Sequence, residues 1–437
     1  MNVLFLMSDS LTPHLTGPYG DGAGSTPNLD ELARRGVVFE NAYCNSPLCV
    51  PSRASMVTGR YSSDLNCYDN ASDFASEWPT IGHSLGSIGY ETYIIGKMHF
   101  VGHDQYHGFD GRLALETDYT KAYDPLGYLL AYDWERPSGG NPAGPEWMGP
   151  SYVNSGDWDH YPRHYDWDEK IHREAISYLS EKEPGCDPFF ACVSYHQPHN
   201  PFWIPREIRE IFQDRDLPLP EIPPGVETCH GPMDVWLNDF HYQPEVREAM
   251  MEEENLRWLY ETYYGMTYDM DRRVGEVLDL LGKRGLADDT AIVFASDHGD
   301  MLAHRGMLQK RYFYERSVRS CLIFSYPGRW QQDVRISAPV SLIDLFPTFA
   351  DLAGAPLPGD LPGMSLLETV ETGSEPPPNR PILCEYHGEG VHAPCFMSVM
   401  DGFKYVYVHG HEERLYDLVE DPDEYVNLVG EKQHESK

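Results

Sequence analysis

Short runs of apolar residues alternate with helical segments along most of the chain, and this alternation limits the folds that the sequence can adopt. The apolar runs have no polar side, which is typical of strands that are buried on both faces of a parallel sheet. They cover residues 3–7, 92–95, 189–193, 291–295 and 322–324. Helical spacing is found at residues 28–35, 171–183 and 252–284. The pattern predicts an α/β fold with a mostly parallel central sheet flanked by helices.

The proline-rich stretch at residues 356–381 predicts a crossover from this sheet into a smaller unit. Beyond it, residues 395–408 contain two apolar runs joined by Asp401-Gly402, a dipeptide that is typical of hairpin turns. We therefore expect a large α/β domain over residues 1–365 and a small antiparallel β subdomain over residues 366–437.

Two stretches show neither the apolar runs of buried strands nor helical spacing and are predicted to be irregular. They cover residues 112–165 and 214–244. The first is rich in Tyr, Trp, Gly, Pro and Asp. Long ordered loops of this kind usually shape binding sites, so we expect both to lie near one.

Ionisable side chains follow four of the predicted strands at the point where each strand ends. They are Asp9, Lys97, His99, His196, His199, Asp297 and His298. Because open α/β sheets bind ligands beyond the carboxyl ends of their strands, we expect a shared site there. Carboxylates favour hard cations such as Ca²⁺, and an imidazole moves the preference toward Mn²⁺. Asp9, Asp297 and His298, with the side chain at position 49, thus form a candidate site for one divalent metal, although a single Asp at a strand end often only caps a helix.

The segment Cys49-Val50-Pro51-Ser52-Arg53 is predicted to start a helix that ends at Gly59. Cys49 would lie at the positive end of that helix, where thiolates and bound anions are stabilised. Arg53, one turn later, could face the same anion. The alternative interpretation is a buried cysteine in front of an ordinary capped helix.

Two further basic residues are candidates for work on an anionic group. Lys310 would add positive charge fixed in place before the reaction, as would Lys97 and His99. His199, flanked by Pro198 and Pro201, could protonate a leaving oxygen, with His196 as the nearby alternative. Each histidine could equally be an ordinary hydrogen-bonded loop residue.

Composition excludes several classes of partner. The formal net charge of −36 argues against nucleic acid, which needs a basic face, and disfavours a highly sulfated polymer. No stretch of the sequence is apolar enough for a membrane span. Nine cysteines without regular spacing are typical of reduced thiols. The first nine residues show no basic leader and predict a core strand, so we expect a cytoplasmic protein; a homo-oligomer is compatible with all of this.

Four segments, in order, resemble the formylglycine-dependent (type I) sulfatases of the alkaline phosphatase superfamily. Residues 47–59 are similar to the motif in which a cysteine is oxidised to formylglycine, and residues 89–99 to the second motif of the family. Residues 26–43 resemble the usual start of the family, and residues 415–428 its usual end. The resemblance spans nearly the whole chain. It implies an alkaline-phosphatase-like α/β fold with a small carboxyl-terminal sheet.

The resemblance also implies a reaction, the hydrolysis of a sulfate monoester to an alcohol and inorganic sulfate. A formylglycine-generating enzyme would convert Cys49, and the hydrated aldehyde would attack sulfur and then expel sulfate. One divalent metal, Ca²⁺ or Mn²⁺, would be held by Asp9, Asp297, His298 and residue 49.

The same resemblance assigns roles to five basic residues. Arg53 and Lys97 would steady the nucleophile and the sulfate, and His99 would take the proton in the expulsion step. His199 and Lys310 would bind sulfate and assist the leaving group.

Ser10 after Asp9, and His298 after Asp297, resemble the branch that contains choline sulfatases and phosphonate monoester hydrolases. Within that branch, residues 68–70 and 385–390 are most similar to choline sulfatases. The likeness implies a small substrate similar to choline sulfate. Substrate contacts are then expected from Asn70, His196, Glu385 and Glu389, with one of the two glutamates pairing with a cationic head group.

Three other functions remain open from the sequence. A phosphonate monoester or phosphodiester hydrolase would use the same metal and nucleophile. A carbohydrate sulfatase would use the aromatic stretch at residues 112–165 as a sugar platform. A non-catalytic relative would bind a metal and an anion and would keep Cys49 unmodified.

Overall fold

Seventeen strands and twelve helices organise the part of the chain that this computed structural model describes, namely residues 1–114, 153–154, 163–242 and 244–431. The strands are β1 (Asn2–Asp9), β2 (Val37–Phe39), β3 (Ala42–Tyr43), β4 (Glu91–Gly96), β5 (Gly111–Leu113), β6 (Val153–Asn154), β7 (Phe189–Pro198), β8 (Phe202–Trp203), β9 (Thr290–Ser296), β10 (Arg319–Ser320), β11 (Leu322–Ser325), β12 (Val334–Ile336), β13 (Val340–Ser341), β14 (Ile382–Tyr386), β15 (Cys395–Met400), β16 (Phe403–Val408) and β17 (Glu412–Asp417).

The helices include all three segments for which the sequence shows helical spacing. They are α1 (Pro27–Arg34), α2 (Cys49–Thr58), α3 (Ser62–Leu65), α4 (Ile81–Gly86), α5 (Arg163–Ser180), α6 (Arg206–Arg209), α7 (Pro232–His241), α8 (Pro244–Met250), α9 (Glu253–Lys283), α10 (Glu315–Val318), α11 (Leu345–Ala353) and α12 (Leu367–Thr372).

The central sheet has eight strands in the order β12-β2-β11-β9-β1-β7-β4-β5. The five strands from β9 to β5 are mutually parallel, with β1 between β9 and β7. All eight residues of β1 are buried, and residues 3–7 alternate between two apolar clusters, one on each face of the sheet. The predicted α/β fold with a mostly parallel, helix-covered sheet is therefore confirmed.

One predicted parallel strand runs the other way. β11, which contains the apolar run at residues 322–324, pairs antiparallel with β9 and with β2. A short strand that is buried on both faces is equally apolar in either direction, so its composition could not give its orientation.

Helix α1 is capped by a residue far away in the sequence. Thr26 precedes the helix but does not cap it with its side chain, because the Thr26 hydroxyl accepts a hydrogen bond from the Gly17 amide at 2.8 Å. The carboxylate of Asp271, in α9, accepts from the backbone amides of Asn28 and Leu29 at 2.9 and 2.8 Å. A long-range partner thus satisfies the first-turn amides, which a local pattern cannot reveal.

The carboxyl-terminal part forms a separate antiparallel sheet in the order β14-β15-β16-β17. Asp401 and Gly402 join β15 to β16 with φ angles of 51° and 78°, the left-handed pair that a tight hairpin turn needs. The predicted small antiparallel sheet is confirmed, while the domain boundary at residue 365 stays a prediction.

The stretch at residues 214–244 is more regular than expected, since it contains α7. The Asp234 carboxylate accepts a hydrogen bond from the Gly231 amide at 3.1 Å and so closes the first turn. Trp236 and Phe240 are 47% and 59% exposed, and these apolar residues on the outer side conceal the helical period. The other predicted irregular stretch, residues 112–165, lies largely outside the described residues.

Among the helices of the described residues, none combines the length and the apolar character needed to cross a membrane.

Candidate active site

The carboxyl ends of neighbouring parallel strands bring the predicted polar residues to one edge of the sheet. Asp9 is the last residue of β1, and Asp297 and His298 directly follow β9, its neighbour. The ends of β4 and β7 supply Lys97, His99, His196 and His199. Ser10 and His99 have φ angles of 61° and 57°, left-handed conformations that cost about 1–3 kcal/mol each and that cluster at functional sites.

Four buried side chains at this edge are arranged as metal ligands. One ligand atom from each of Asp9, Cys49, Asp297 and His298 lies within 4.8 Å of the other three. Two carboxylates and an imidazole at this spacing suit a divalent cation. The imidazole orientation is fixed because His298 Nδ1 donates to the Gly299 carbonyl at 2.9 Å and Nε2 points to the cluster. The residues present therefore fit one divalent metal.

Cys49 is the first residue of α2 and faces the centre of the cluster. Its Sγ lies 3.4 Å from His298 Nε2 and 3.8 Å from Asp9 Oδ1. Burial, and next the charge of Asp9, raise the pKa of the Cys49 thiol to about 11. Apart from the effect of a bound cation, the unmodified side chain is then a neutral thiol at pH 7, and a thiol is a weak nucleophile.

Arg53 holds the two carboxylates of the cluster in place. Its side chain is fully buried and donates to Asp297 Oδ2 at 2.8 Å and to Asp9 Oδ2 at 3.0 Å. It also donates to the Lys97 carbonyl at 2.6 Å and to Ser194 Oγ at 2.9 Å. These contacts make Arg53 a brace between β1, β4, β7 and the segment after β9.

The positive charge of Lys97 affects the protonation of both Asp9 and His99. Lys97 Nζ lies 2.6 Å from Asp9 Oδ2. Burial alone would raise the pKa of Asp9, but the charges of Lys97 and Arg53 keep the pKa well below its usual value. Burial, and then the charge of Lys97, lower the pKa of His99 well below its usual value. The site thus contains an ionised Asp9 beside a neutral imidazole that can accept a proton.

Lys310 and His199 form a second basic pair over the cluster. Lys310 Nζ lies 2.6 Å from His199 Nε2, which is itself 3.8 Å from Asp9 Oδ1. His199 Nδ1 is bonded to the Asn200 carbonyl, so Nδ1 carries the proton and Nε2 accepts from Lys310. The pair thus places the Lys310 ammonium, a charged donor, beside the cluster.

This architecture matches a known family over most of its length. Residues 1–355 match the family model described as sulfatase, and residues 303–437 match the model of the carboxyl-terminal region of N-sulphoglucosamine sulphohydrolase. The chain belongs to the sulfatase family. It is therefore a sulfuric ester hydrolase, and the resemblance on which the sequence analysis depends is confirmed.

Similar proteins act on different molecules. The chain is 34% identical to a choline-sulfatase of Rhizobium meliloti, over 98% of the chain and 82% of that protein. It is 28% identical to a Δ4,5-hexuronate-2-O-sulfatase of Bacteroides thetaiotaomicron, over 98% of the chain and 84% of that protein. The structure of a phosphonate monoester hydrolase of Agrobacterium radiobacter is similar with a TM-score of 0.77 at 23% identity, covering 99% and 92% of the two chains. This last likeness concerns the fold, which is alkaline-phosphatase-like as predicted.

In this sulfatase, the two segments that resemble choline sulfatases contact each other. A Cβ atom on Gly388 would lie only 2.6 Å from the Tyr68 carbonyl oxygen, so only glycine fits this approach. Asn70 Oδ1 accepts a hydrogen bond from the Val50 amide at 3.0 Å and therefore caps α2, the helix that carries Cys49.

Both candidate glutamates have partners within the protein. Glu385 accepts hydrogen bonds from the Ser62 hydroxyl at 3.0 Å and the Ser63 hydroxyl at 2.9 Å. Glu389 pairs with Arg311, whose Nε lies 2.9 Å from Oε2. A cationic substrate group would have to compete with these contacts for either carboxylate.

His196 is packed rather than placed among the ligands of the cluster. Its ring stacks on Trp167 with centroids 4.7 Å apart. The Asp168 carboxylate, in α5, accepts from the amides of His196 and Gln197 at 2.7 and 2.9 Å. Asp168 and Ser194 were not predicted, because an acid within a helix and a serine within a strand carry no local signal of such contacts.

Proposed function

We propose that this sulfatase hydrolyses the sulfate monoester of a small alcohol by means of a formylglycine formed from Cys49 and one divalent metal. The observation that carries the proposal is the buried cluster in which the Cys49 side chain lies among Asp9, Asp297 and His298. The group at position 49 would therefore lie beside the bound cation and close to the charges of Lys97 and Lys310, where a sulfate ester would be bound. The proposal includes a formylglycine-generating enzyme as the partner that converts Cys49.

The metal, Ca²⁺ or Mn²⁺, would be held by Asp9, Asp297, His298 and residue 49, and when bound it would supply positive charge against the nucleophile and the ester oxygens. Arg53 keeps the two carboxylates in register. Lys97 adds positive charge beside Asp9.

Three basic side chains would handle the proton and the anion. His99, whose pKa is lowered by burial, is neutral at pH 7 and can take a proton at its ring nitrogen during sulfate release. Lys310 would hold a sulfate oxygen, and one proton of its ammonium group, directly or through His199 Nε2 to which it donates, would pass to the departing alkoxide and leave a neutral amine.

A small substrate is supported by the 34% identity to a choline-sulfatase and by the net charge of −36, which disfavours encounter with a sulfated polymer. Because Glu385 and Glu389 are engaged by serines and by Arg311, choline sulfate is the first ester to test rather than the assigned substrate.

The proposal is tested by producing the protein with a formylglycine-generating enzyme and measuring the mass of the Cys49 peptide and the release of sulfate. We expect a mass loss of about 18 Da, for replacement of the thiol by an aldehyde, and turnover of a small sulfate ester. An unmodified Cys49 in a fully active enzyme would overturn the formylglycine step.

The same preparation separates the other functions. Faster hydrolysis of a phosphonate monoester or phosphodiester than of any sulfate ester would favour a phosphoryl substrate. Turnover restricted to sulfated sugars would indicate a carbohydrate sulfatase. Metal binding without any turnover would leave a non-catalytic binding protein.

His298→Asn is expected to shift the metal preference from Mn²⁺ toward Ca²⁺, because an amide oxygen replaces the imidazole nitrogen. The measurement is thermal stabilisation of wild type and variant by each cation over a concentration series. His304→Asn is the matched control, since His304 pairs with Asp423 and not with the cluster. An unchanged preference in His298→Asn would mean that His298 is not a ligand.

A further inference from the structure

The loop that carries Lys310 has an unusual backbone. Between Gly299 and Arg311, five residues other than glycine have positive φ angles: Leu302, Ala303, Arg305, Gln309 and Arg311. Lys310 lies between two of them, Gln309 at 61° and Arg311 at 91°. Left-handed residues with side chains are disfavoured, and they persist only where surrounding contacts hold them.

Side-chain contacts of Gln309 and Arg311, the residues on either side of Lys310, stabilise these left-handed conformations. Arg311 Nη1 donates to Gln309 Oε1 at 2.6 Å, so the side chains of the two residues that flank Lys310 are hydrogen-bonded to each other. Arg311 Nε donates to Glu389 Oε2 at 2.9 Å. The Arg311 and Glu389 side chains are 14% and 21% exposed, so this ion pair is largely removed from water. An ion pair with little water around it keeps more of its strength than a surface pair.

Glu389 is itself fixed from the other side. It follows β14 in the loop before β15 and has a φ of 44°. The His241 ring donates to its carbonyl oxygen at 2.7 Å. Trp236 Nε1 donates to the carbonyl oxygen of the next residue, Gly390, also at 2.7 Å. The carboxyl-terminal sheet and α7 together therefore present the Glu389 carboxylate at a defined position.

We infer that the chain of contacts Gln309–Arg311–Glu389 positions Lys310 against His199, and that the carboxyl-terminal sheet thereby sets the geometry of the leaving-group side of the site. Arg311 and Glu389 are positioning residues, since neither contacts Asp9, Cys49, Asp297 or His298 in the part of the chain that the structure describes. The inference rests on the proposed function, in which Lys310 and His199 assist the departing alcohol. It gives Glu389 a role other than binding a cationic head group.

Lys310 depends on a fixed backbone because a lysine side chain has four rotatable bonds and no preferred donor direction. The 2.6 Å contact between Lys310 Nζ and His199 Nε2 depends on where the Lys310 backbone lies. If Arg311 is lost, the strained loop can relax and this contact lengthens. The damage should fall on substrates whose leaving group needs a proton, and spare those whose leaving group is stable as an anion.

The test compares Arg311→Met with wild type on two esters, 4-nitrophenyl sulfate with a good leaving group and a simple alkyl sulfate with a poor one. We expect kcat/KM to fall at least about 100-fold for the alkyl ester and less than about 10-fold for the nitrophenyl ester. Arg311→Lys should restore part of the loss, because lysine reaches Glu389 but cannot bond Gln309 at the same time. Adding Glu389→Gln to Arg311→Met should cost little more, since both act through one contact.

Lys182→Met is the matched control. Lys182 pairs with Glu91 at 2.7 Å with 13% of its side chain exposed, and Glu91 begins β4 at the end of the sheet opposite to the site. This variant should keep wild-type rates on both esters.

Equal losses on the two esters in Arg311→Met, or no loss on either, would overturn the inference and leave a purely structural ion pair. If the wild-type enzyme, made with a formylglycine-generating enzyme, hydrolyses neither ester and does not hydrolyse choline sulfate, the proposed function itself fails, and the inference falls with it.

Discussion

Cys49→Ala is expected to abolish ester hydrolysis while the protein keeps its fold. Position 49 lies within reach of Asp9 and His298, so alanine removes the group that we propose as nucleophile and as one of the metal ligands. A loss of at least about 10⁴-fold in kcat is expected, as for the removal of other covalent nucleophiles. Since alanine removes one buried atom at the start of α2, the free energy of unfolding should fall by only about 1 kcal/mol.

The measurement is sulfate release, together with thermal or urea unfolding, for protein made with a formylglycine-generating enzyme. Cys395→Ala is the matched control, because Cys395 is also a buried thiol but lies in the carboxyl-terminal sheet. It should lose similar stability and no activity. A Cys49→Ala enzyme within tenfold of the wild-type rate would show that neither the thiol nor its oxidation product carries the reaction.

The strands were predictable because burial on both faces of the sheet leaves an unmistakable apolar run. β1 and β9 extend the predicted runs by one to two residues at either end, to Asn2–Asp9 and Thr290–Ser296. The direction of β11 was not predictable, since hydrophobicity alone does not distinguish parallel from antiparallel pairing. α7 escaped notice for a related reason: Trp236 and Phe240 are apolar and exposed, so the helical period was lost.

The members of the candidate metal cluster could be found from the sequence because each lies at the end of a strand, just after a strand or at the start of a helix. What those residues contact could not. The role of Arg53 beside an anion stays a prediction, but the sequence did not indicate that Arg53 also bonds Asp9 and Asp297. The contact of Glu389 with a cationic substrate group also stays a prediction, but its pairing with Arg311 was not predicted. Both contacts join residues far apart in the chain, and no local pattern encodes them.

Arg53→Met should produce the largest loss of stability among single substitutions at the site. The guanidinium is fully buried and bridges two fully buried carboxylates, Asp297 at 2.8 Å and Asp9 at 3.0 Å. Methionine fills similar space but leaves both negative charges with less compensation. Breaking a buried ion pair by removing one partner typically costs about 3–5 kcal/mol. Turnover should also fall by at least about 100-fold, because Asp9 and Asp297 lose their fixed orientation.

Arg414→Met separates the two effects. Arg414 forms a comparably buried pair with Asp234, between β17 and α7, without contacting the cluster. It should be destabilised to a similar extent but keep wild-type turnover of 4-nitrophenyl sulfate per folded molecule, because that ester does not depend on the proton from Lys310.

The change in melting temperature on adding a divalent cation should distinguish Arg53→Met from a variant that only has a packing defect. In the variant, two buried carboxylates have lost their bridging cation, so a metal that binds the folded state alone should offset part of the missing charge. Saturating Ca²⁺ or Mn²⁺ should therefore raise the melting temperature of Arg53→Met more than that of wild type or of Arg414→Met. Equal shifts in all three proteins would mean that Arg53 stabilises the fold by packing and does not act through Asp9 and Asp297. A larger shift in Arg53→Met would show that arginine and metal compensate the same two charges.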